Sequence, residues 1–139
     1  MKLLAILMFF MPFAMAAQAQ NPHQQAMNKF TKFYNAGQGD SINAMFGHGW
    51  DDIKSSQPLW TNAKAAELLE EFGMLESFKF VGVDTSDPNE VYVFQTVFSK
   101  KGANATSLTL DKDNSLDTFR FITTSNGITR LLENSRKRQ

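Results

Sequence analysis

The stretch EVYVFQTVFSK, residues 90–100, is a continuous run of β-branched and aromatic residues. Such residues suit a pleated, half-buried surface. A period of two places Val91, Val93, Gln95, Val97 and Ser99 on one face and Tyr92, Phe94, Thr96 and Phe98 on the other. On its N-terminal side, DTSDPN (84–89) reads as a turn in which Pro88 favours chain reversal. Before that turn, Phe78, Phe80 and Gly82 alternate with Ser77, Lys79 and Val81 in a first long strand. On the C-terminal side, KKG leads into a strand over Ala103–Asp111, with Leu108 and Leu110 on one face. A tight turn over Asp111–Asn114 precedes the last strand, Leu116–Thr123, where Phe119 and Phe121 alternate with Arg120 and Ile122. A short strand or irregular segment is predicted over Gly127–Leu132.

Upstream of Met74 the period changes to that of helices. Ala26, Phe30, Phe33 and Gly37 recur at spacings of four, three and four, so the spacing predicts a helix over Gln24–Gly37, stopped by Gly37 and Gly39. Asp40 or Ser41 can cap a short second helix through Phe46, with Ile42, Met45 and Phe46 on its buried side. The segment GHGWDDIKSSQP (47–58) reads as a loop or a broken helical turn. Thr61 is the expected cap of a third helix running through Ala65 and Leu69 to Phe72, ended by Gly73. Three helices followed by about four antiparallel strands make an α+β domain, with the helices against one face of the sheet. The opposite face is left for solvent, a partner subunit or the mouth of a pocket.

The ends of the chain have a different character. Residues 1–19, MKLLAILMFFMPFAMAAQA, place Lys2 before an apolar run and small residues Ala17 and Ala19 at an A-x-A cleavage site. They read as a signal peptide, which implies a periplasmic or secreted product with no membrane anchor after cleavage. The domain then occupies residues 20–132, and residues 133–139 form a basic, disordered tail. The whole chain of 139 residues balances 14 basic against 14 acidic groups. Arg136, Lys137 and Arg138 crowd the tail, so the body of the domain is acidic. That distribution lacks the basic footprint of a nucleic-acid-binding protein. Cysteine is absent, which excludes disulfides, thiol catalysis, cysteine-ligated zinc and iron–sulfur clusters. Three of the 13 phenylalanines, Phe9, Phe10 and Phe13, belong to the leader. The others must build the core of a domain that has no bridges to hold it.

Three segments in order carry a family likeness: FTKFYNAGQGDSINAMF (30–46), LLEEFGMLESFKFVG (68–82) and VYVFQTVF (91–98). Together they resemble the nuclear-transport-factor-2-like (NTF2-like) superfamily, and within it the small exported bacterial domains of unknown function typed as DUF3887-like. The likeness spans roughly 24–123. It implies a cystatin-like α+β cone, in which a curved antiparallel sheet is closed by three N-terminal helices around an apolar cavity. Members of that superfamily include isomerases, dehydratases, dimeric adaptors and domains without known chemistry. Some similar domains precede a hydrolase, but this sequence contains no G-x-S-x-G or S-x-x-K nucleophile motif.

Candidate site residues follow from these readings. Phe30, Phe33 and Tyr34 lie on the helix that lines the cavity in the resembling fold. Core packing is the simpler account of them, with a Tyr34 hydroxyl available to a ligand as the functional one. Phe46, Trp50, Leu59 and Trp60 bracket the 47–58 segment as an aromatic rim, the simpler account being a satellite core beneath a loop. Tyr92, Phe94 and Phe98 are placed to complete that wall or to form a dimer surface on the sheet face, where Arg120 or Lys79 would supply a polar group for an anionic head. The main expectation is a non-catalytic domain for a small apolar ligand or a protein partner, needing no cofactor. The alternatives are a cavity isomerase or dehydratase using Tyr34 with Asp40, Asp51 or Asp52, and a purely structural dimerisation domain. His48 with Asp51 and Asp52 has the chemistry of a metal cluster, but a Gly-rich turn accounts for the same residues, so no metal is assigned. DKDNS (111–115) opens like a calcium loop, yet its twelfth position is Ile122 where glutamate is required.

Overall fold

The computed structural model describes residues 21–85, 88–122 and 125–136. The leader 1–19 and residues 137–139 of the tail lie outside them. Helix α1 (Pro22–Asn35) begins with proline in its first turn, where a missing N–H is harmless, and lays Ala26, Met27, Phe30 and Tyr34 inward. Gly37, at φ +69°, turns the chain into α2 (Gly39–Met45). A 3-10 turn (His48–Trp50) leads into α3 (Asp51–Ser56). Helix α4 (Asn62–Phe72) starts where the Thr61 hydroxyl accepts from the Lys64 N–H, and stops at Gly73, φ +79°. Four strands follow: β1 (Leu75–Asp84), β2 (Val91–Phe98), β3 (Gly102–Leu110) and β4 (Leu116–Ile122). Helix α5 (Ser125–Arg136) closes the described chain.

The strands form one antiparallel sheet in the order β1-β2-β3-β4. Its inner face carries Phe78, Phe80, Phe94, Phe98, Leu108, Leu116, Phe119 and Phe121, packed on Phe30, Tyr34, Ile42 and Phe72 of the N-terminal helices. Two threonines on adjacent strands interrupt this apolar surface, Thr96 of β2 and Thr106 of β3 (register partner of Phe94), and their buried hydroxyls bond to each other at 3.0 Å. The outer face carries a second, aliphatic cluster. Val81, Val93 and Ala105 pack there against Leu132 of α5, flanked by Val91, Ile122, Ile128 and Leu131.

This architecture corrects the expected cone. The sheet neither closes nor curls; it is an open central layer with helices on both faces. The physical reason lies in the two-faced pattern of β2. Its valine face is apolar and must be covered as well, and α5 covers it, on the side expected to be open to solvent, pocket or partner. Bends that would curl a sheet are limited to irregularities in β1 and at the β3–β4 pairing.

The helix inventory is also larger than three. Segment 47–58 is largely helical, because Asp51 and Asp52 sit favourably in the first turn of α3 and Lys54 near its end. Residues 127–132 are neither strand nor irregular. Ile128, Leu131, Leu132 and Ser135 recur on one side of α5, and Gly127 falls in its first turn, where helix propensity matters least. Residues 133–136, assigned to a disordered tail, continue that helix. Among the described residues, no helix is long and apolar enough to cross a membrane.

Candidate functional site

Several expected site residues are placed in the packed interior. Phe30 is fully buried, stacked on Phe119 with ring centroids 4.0 Å apart and meeting Trp60 edge-on at 5.6 Å. Phe94 is fully buried between Phe78 and Phe80, and Phe33 packs on the margin of the same cluster. The Tyr34 hydroxyl donates to the Gly73 carbonyl at 2.9 Å, with the Leu68 carbonyl at 3.2 Å. Burial, with a smaller contribution from Glu71, pushes its phenol up to about 12. Tyr34 therefore ties α1 to the end of α4.

Two of the three acids considered for catalysis, Asp40 and Asp51, have structural partners. The Asp40 carboxylate accepts from the Asn62 N–H at 3.3 Å, while the Asn62 side chain accepts from the Asp40 N–H at 3.0 Å, a reciprocal cap joining α2 to α4. Asp51 faces solvent and pairs with His48 at 3.0 Å and Lys54 at 3.7 Å. The His48 hydrogen bond is the main reason its carboxyl lies below the ordinary range. Asp52 is exposed.

Phe46, Trp50, Trp60 and Arg120 do come together. With Leu59, Lys64 and residues 117–119 of β4 they line a groove of about 260 Å³ along the edge of the sheet. Phe46 is held by a parallel bridge to Leu116, and the Gly47 N–H donates to the Leu116 carbonyl at 3.0 Å. The Trp50 indole N–H donates to the Asp117 carbonyl at 2.9 Å, which fixes the ring against β4. On the other wall, the Asn43 side-chain oxygen accepts from the N–H groups of Leu59 at 2.8 Å and Trp60 at 3.2 Å. The Lys64 ammonium lies 4.8 Å from the centre of the Trp60 ring. The floor joins the main core through the Phe30–Trp60 contact, whereas Arg120 stands exposed at the rim.

Tyr92 is not part of this groove. Its ring stacks on His23 at 4.4 Å and 10°, and its hydroxyl donates to Glu90 at 3.0 Å. His23 also meets Phe80 at 4.7 Å, and its Nε2 is buried with no hydrogen-bond partner among the described residues. Burial holds its imidazole below the ordinary value. His23 lies one residue before the helix that the sequence predicts over Gln24–Gly37. The signal that would have found it is spacing, since His23 lies three and four residues before Ala26 and Met27 on the stripe that α1 buries. Lys64 and residues 117–119 of β4 were missed because no local pattern pairs them with the tryptophans.

The chain matches no protein-family model and no curated protein.

Proposed function

We propose that the protein is an exported, non-catalytic binding domain whose aromatic groove receives an apolar side chain from an extended segment of a protein partner. The observation that carries this reading is the convergence of Phe46, Trp50, Leu59 and Trp60 beside an edge strand. At about 260 Å³ the groove falls below the roughly 300–1,000 Å³ that encloses a small molecule, and suits one or two side chains of a larger partner. Beyond Leu116 and Asp117, whose carbonyls are taken by the Gly47 N–H and the Trp50 indole, the edge of β4 is left to an incoming extended chain, the usual way in which sheets accept peptides. Binding rather than catalysis is supported by the engagement of the Tyr34 hydroxyl and the capping role of Asp40. Export rests on the leader sequence of residues 1–19.

The two tryptophans of the chain, Trp50 and Trp60, both line the groove, so their emission reports directly on it. Titration with short extended peptides alternating Thr with Leu or Phe should change the emission saturably. Trp50→Ala should weaken that binding about tenfold or more, as expected for an aromatic anchor. Unchanged emission with every such peptide up to millimolar concentration would reject the reading.

A further inference from the structure

A second groove lies on the other side of the sheet, between α5 and the outer face, and at about 520 Å³ it is twice the size of the aromatic one. It arises from how α5 divides its surface. The stripe Ile128, Leu131, Leu132 and Ser135 faces the sheet or lies buried, while the adjoining stripe Gly127, Arg130, Leu131 and Asn134 borders the groove. Both stripes follow the spacing of three and four residues that defines one side of a helix. Opposite stand Ser107 and Arg120, register partners on β3 and β4, with Ile122 one step further along β4.

The charges in this groove are unequal. Arg120 and Arg130 come from different elements, both are exposed, and neither has an ion-pair partner among the described residues. Asp84 also lines the groove, but it is only 8% exposed and is already engaged within the protein. In a domain whose body is acidic, two open guanidinium groups bordering one concavity form a local cationic site. Guanidinium forks match carboxylates in shape and charge. Val91, Ile122 and Leu131 give the same groove an apolar wall, and Ser107 and Asn134 add polar contacts.

We infer that this groove binds a small organic carboxylate with an apolar body, its head between Arg120 and Arg130 and its body along Val91, Ile122 and Leu131. The volume falls within the usual range for small-molecule sites. The site is separate from the aromatic groove apart from Arg120, which borders both, and it stands whether or not the peptide reading holds.

Calorimetric titration of the purified protein with octanoate, octylammonium and inorganic phosphate tests it. Octanoate should bind at one site and octylammonium should not. Arg130→Gln and Arg120→Gln should each weaken octanoate about tenfold, the loss expected from one charge-assisted hydrogen-bonding partner. Lys32→Gln, an exposed cation on α1 outside the groove, should leave the affinity unchanged. Both arginines are exposed, so circular dichroism should confirm that their variants fold. The inference is overturned if octanoate fails to bind at millimolar concentration, or if both arginine variants retain full affinity. Phosphate binding as tightly as octanoate would also overturn it, because the apolar wall would then have no part. Arg130→Gln separates this site from the aromatic groove, since Arg130 borders only the outer one.

Discussion

The side-chain amide of Asn35 holds both backbone polar groups of Leu75, donating to its carbonyl at 3.0 Å and accepting from its N–H at 2.8 Å. The last residue of α1 thus pairs with the first residue of β1 as a neighbouring strand would. An edge strand needs such cover because its unpaired N–H and C=O groups invite association with other chains. At the opposite edge, the Phe46–Gly47 segment and the Trp50 indole do the same for Leu116 and Asp117.

Replacing Asn35 by Asp should separate the two halves of this contact. The carboxylate can still accept from the Leu75 N–H, but it opposes the Leu75 carbonyl instead of donating to it. Asn35→Asp and Asn35→Ala should each lower unfolding stability by about 1–3 kcal/mol, the cost of leaving partly buried groups unpaired. Urea denaturation measures the loss, and faster hydrogen exchange at the Leu75 amide localises it. An unchanged urea midpoint in both variants would remove the role assigned to Asn35.

Gly39 is set by a close approach. A Cβ at this position would lie 1.7 Å from the Thr61 carbonyl oxygen, a backbone atom that cannot move aside without shifting the start of α4. The same approach permits the Asp40–Asn62 reciprocal cap. Gly39→Ala should therefore destabilise the fold by about 3 kcal/mol or more. Gly49→Ala, where a Cβ meets nothing within 4 Å, should be close to neutral. Equal thermal midpoints for the two variants would contradict this account.

The sequence was most readable where the determinants are local. Thr61 and Gly73 bound α4 as expected, and the period of two over residues 90–100 contains β2. What it did not convey depends on partners far apart in the chain. Whether the sheet closes is decided at its edges, by contacts such as Asn35 with Leu75 and Trp50 with Asp117, which no local pattern links. Helix α5 was hidden by Gly127 and by the polar residues between Ile128 and Ser135, because the stripe has meaning only against the valine face of β2. The aromatic residues of the edge groove could be picked out by type. Their separation from Phe30, Tyr34 and Phe94 could not, since all of these read alike as aromatic positions at helix or strand spacing.

Tyr34 predicts an alkaline limit to stability. Its phenol is held up to about 12 in the folded protein, while the unfolded chain titrates near the ordinary tyrosine value of 10.0. Above that lower value the unfolded state loses a proton that the folded state keeps, so stability falls as pH rises from 10 toward 12. Tyr34→Phe should abolish this part of the alkaline loss. It should also lower stability at pH 7 by about 1–2 kcal/mol, because the Gly73 carbonyl loses its buried donor. Urea unfolding at pH 7 and pH 11 distinguishes the two effects. A parallel decline of both proteins between those values would rule out Tyr34 as its cause.

His23 predicts the opposite limb. Burial against Phe80 and Tyr92 holds its imidazole below the ordinary histidine value of 6.5, so the folded protein favours the neutral ring. As pH falls through that value the unfolded chain takes up a proton first. The stability contributed by neutral His23 is complete above it and is lost progressively below. The first turn of α1 reinforces the direction, because the positive end of a helix disfavours a cation. His23→Phe keeps the ring against both neighbours and removes the unpaired buried Nε2, a change that should be neutral or stabilising at pH 7. Between pH 7 and pH 5 the thermal midpoint of the parent protein should fall more steeply than that of His23→Phe. If parent and His23→Phe decline with the same slope, protonation of His23 does not loosen the seat of α1 on the sheet.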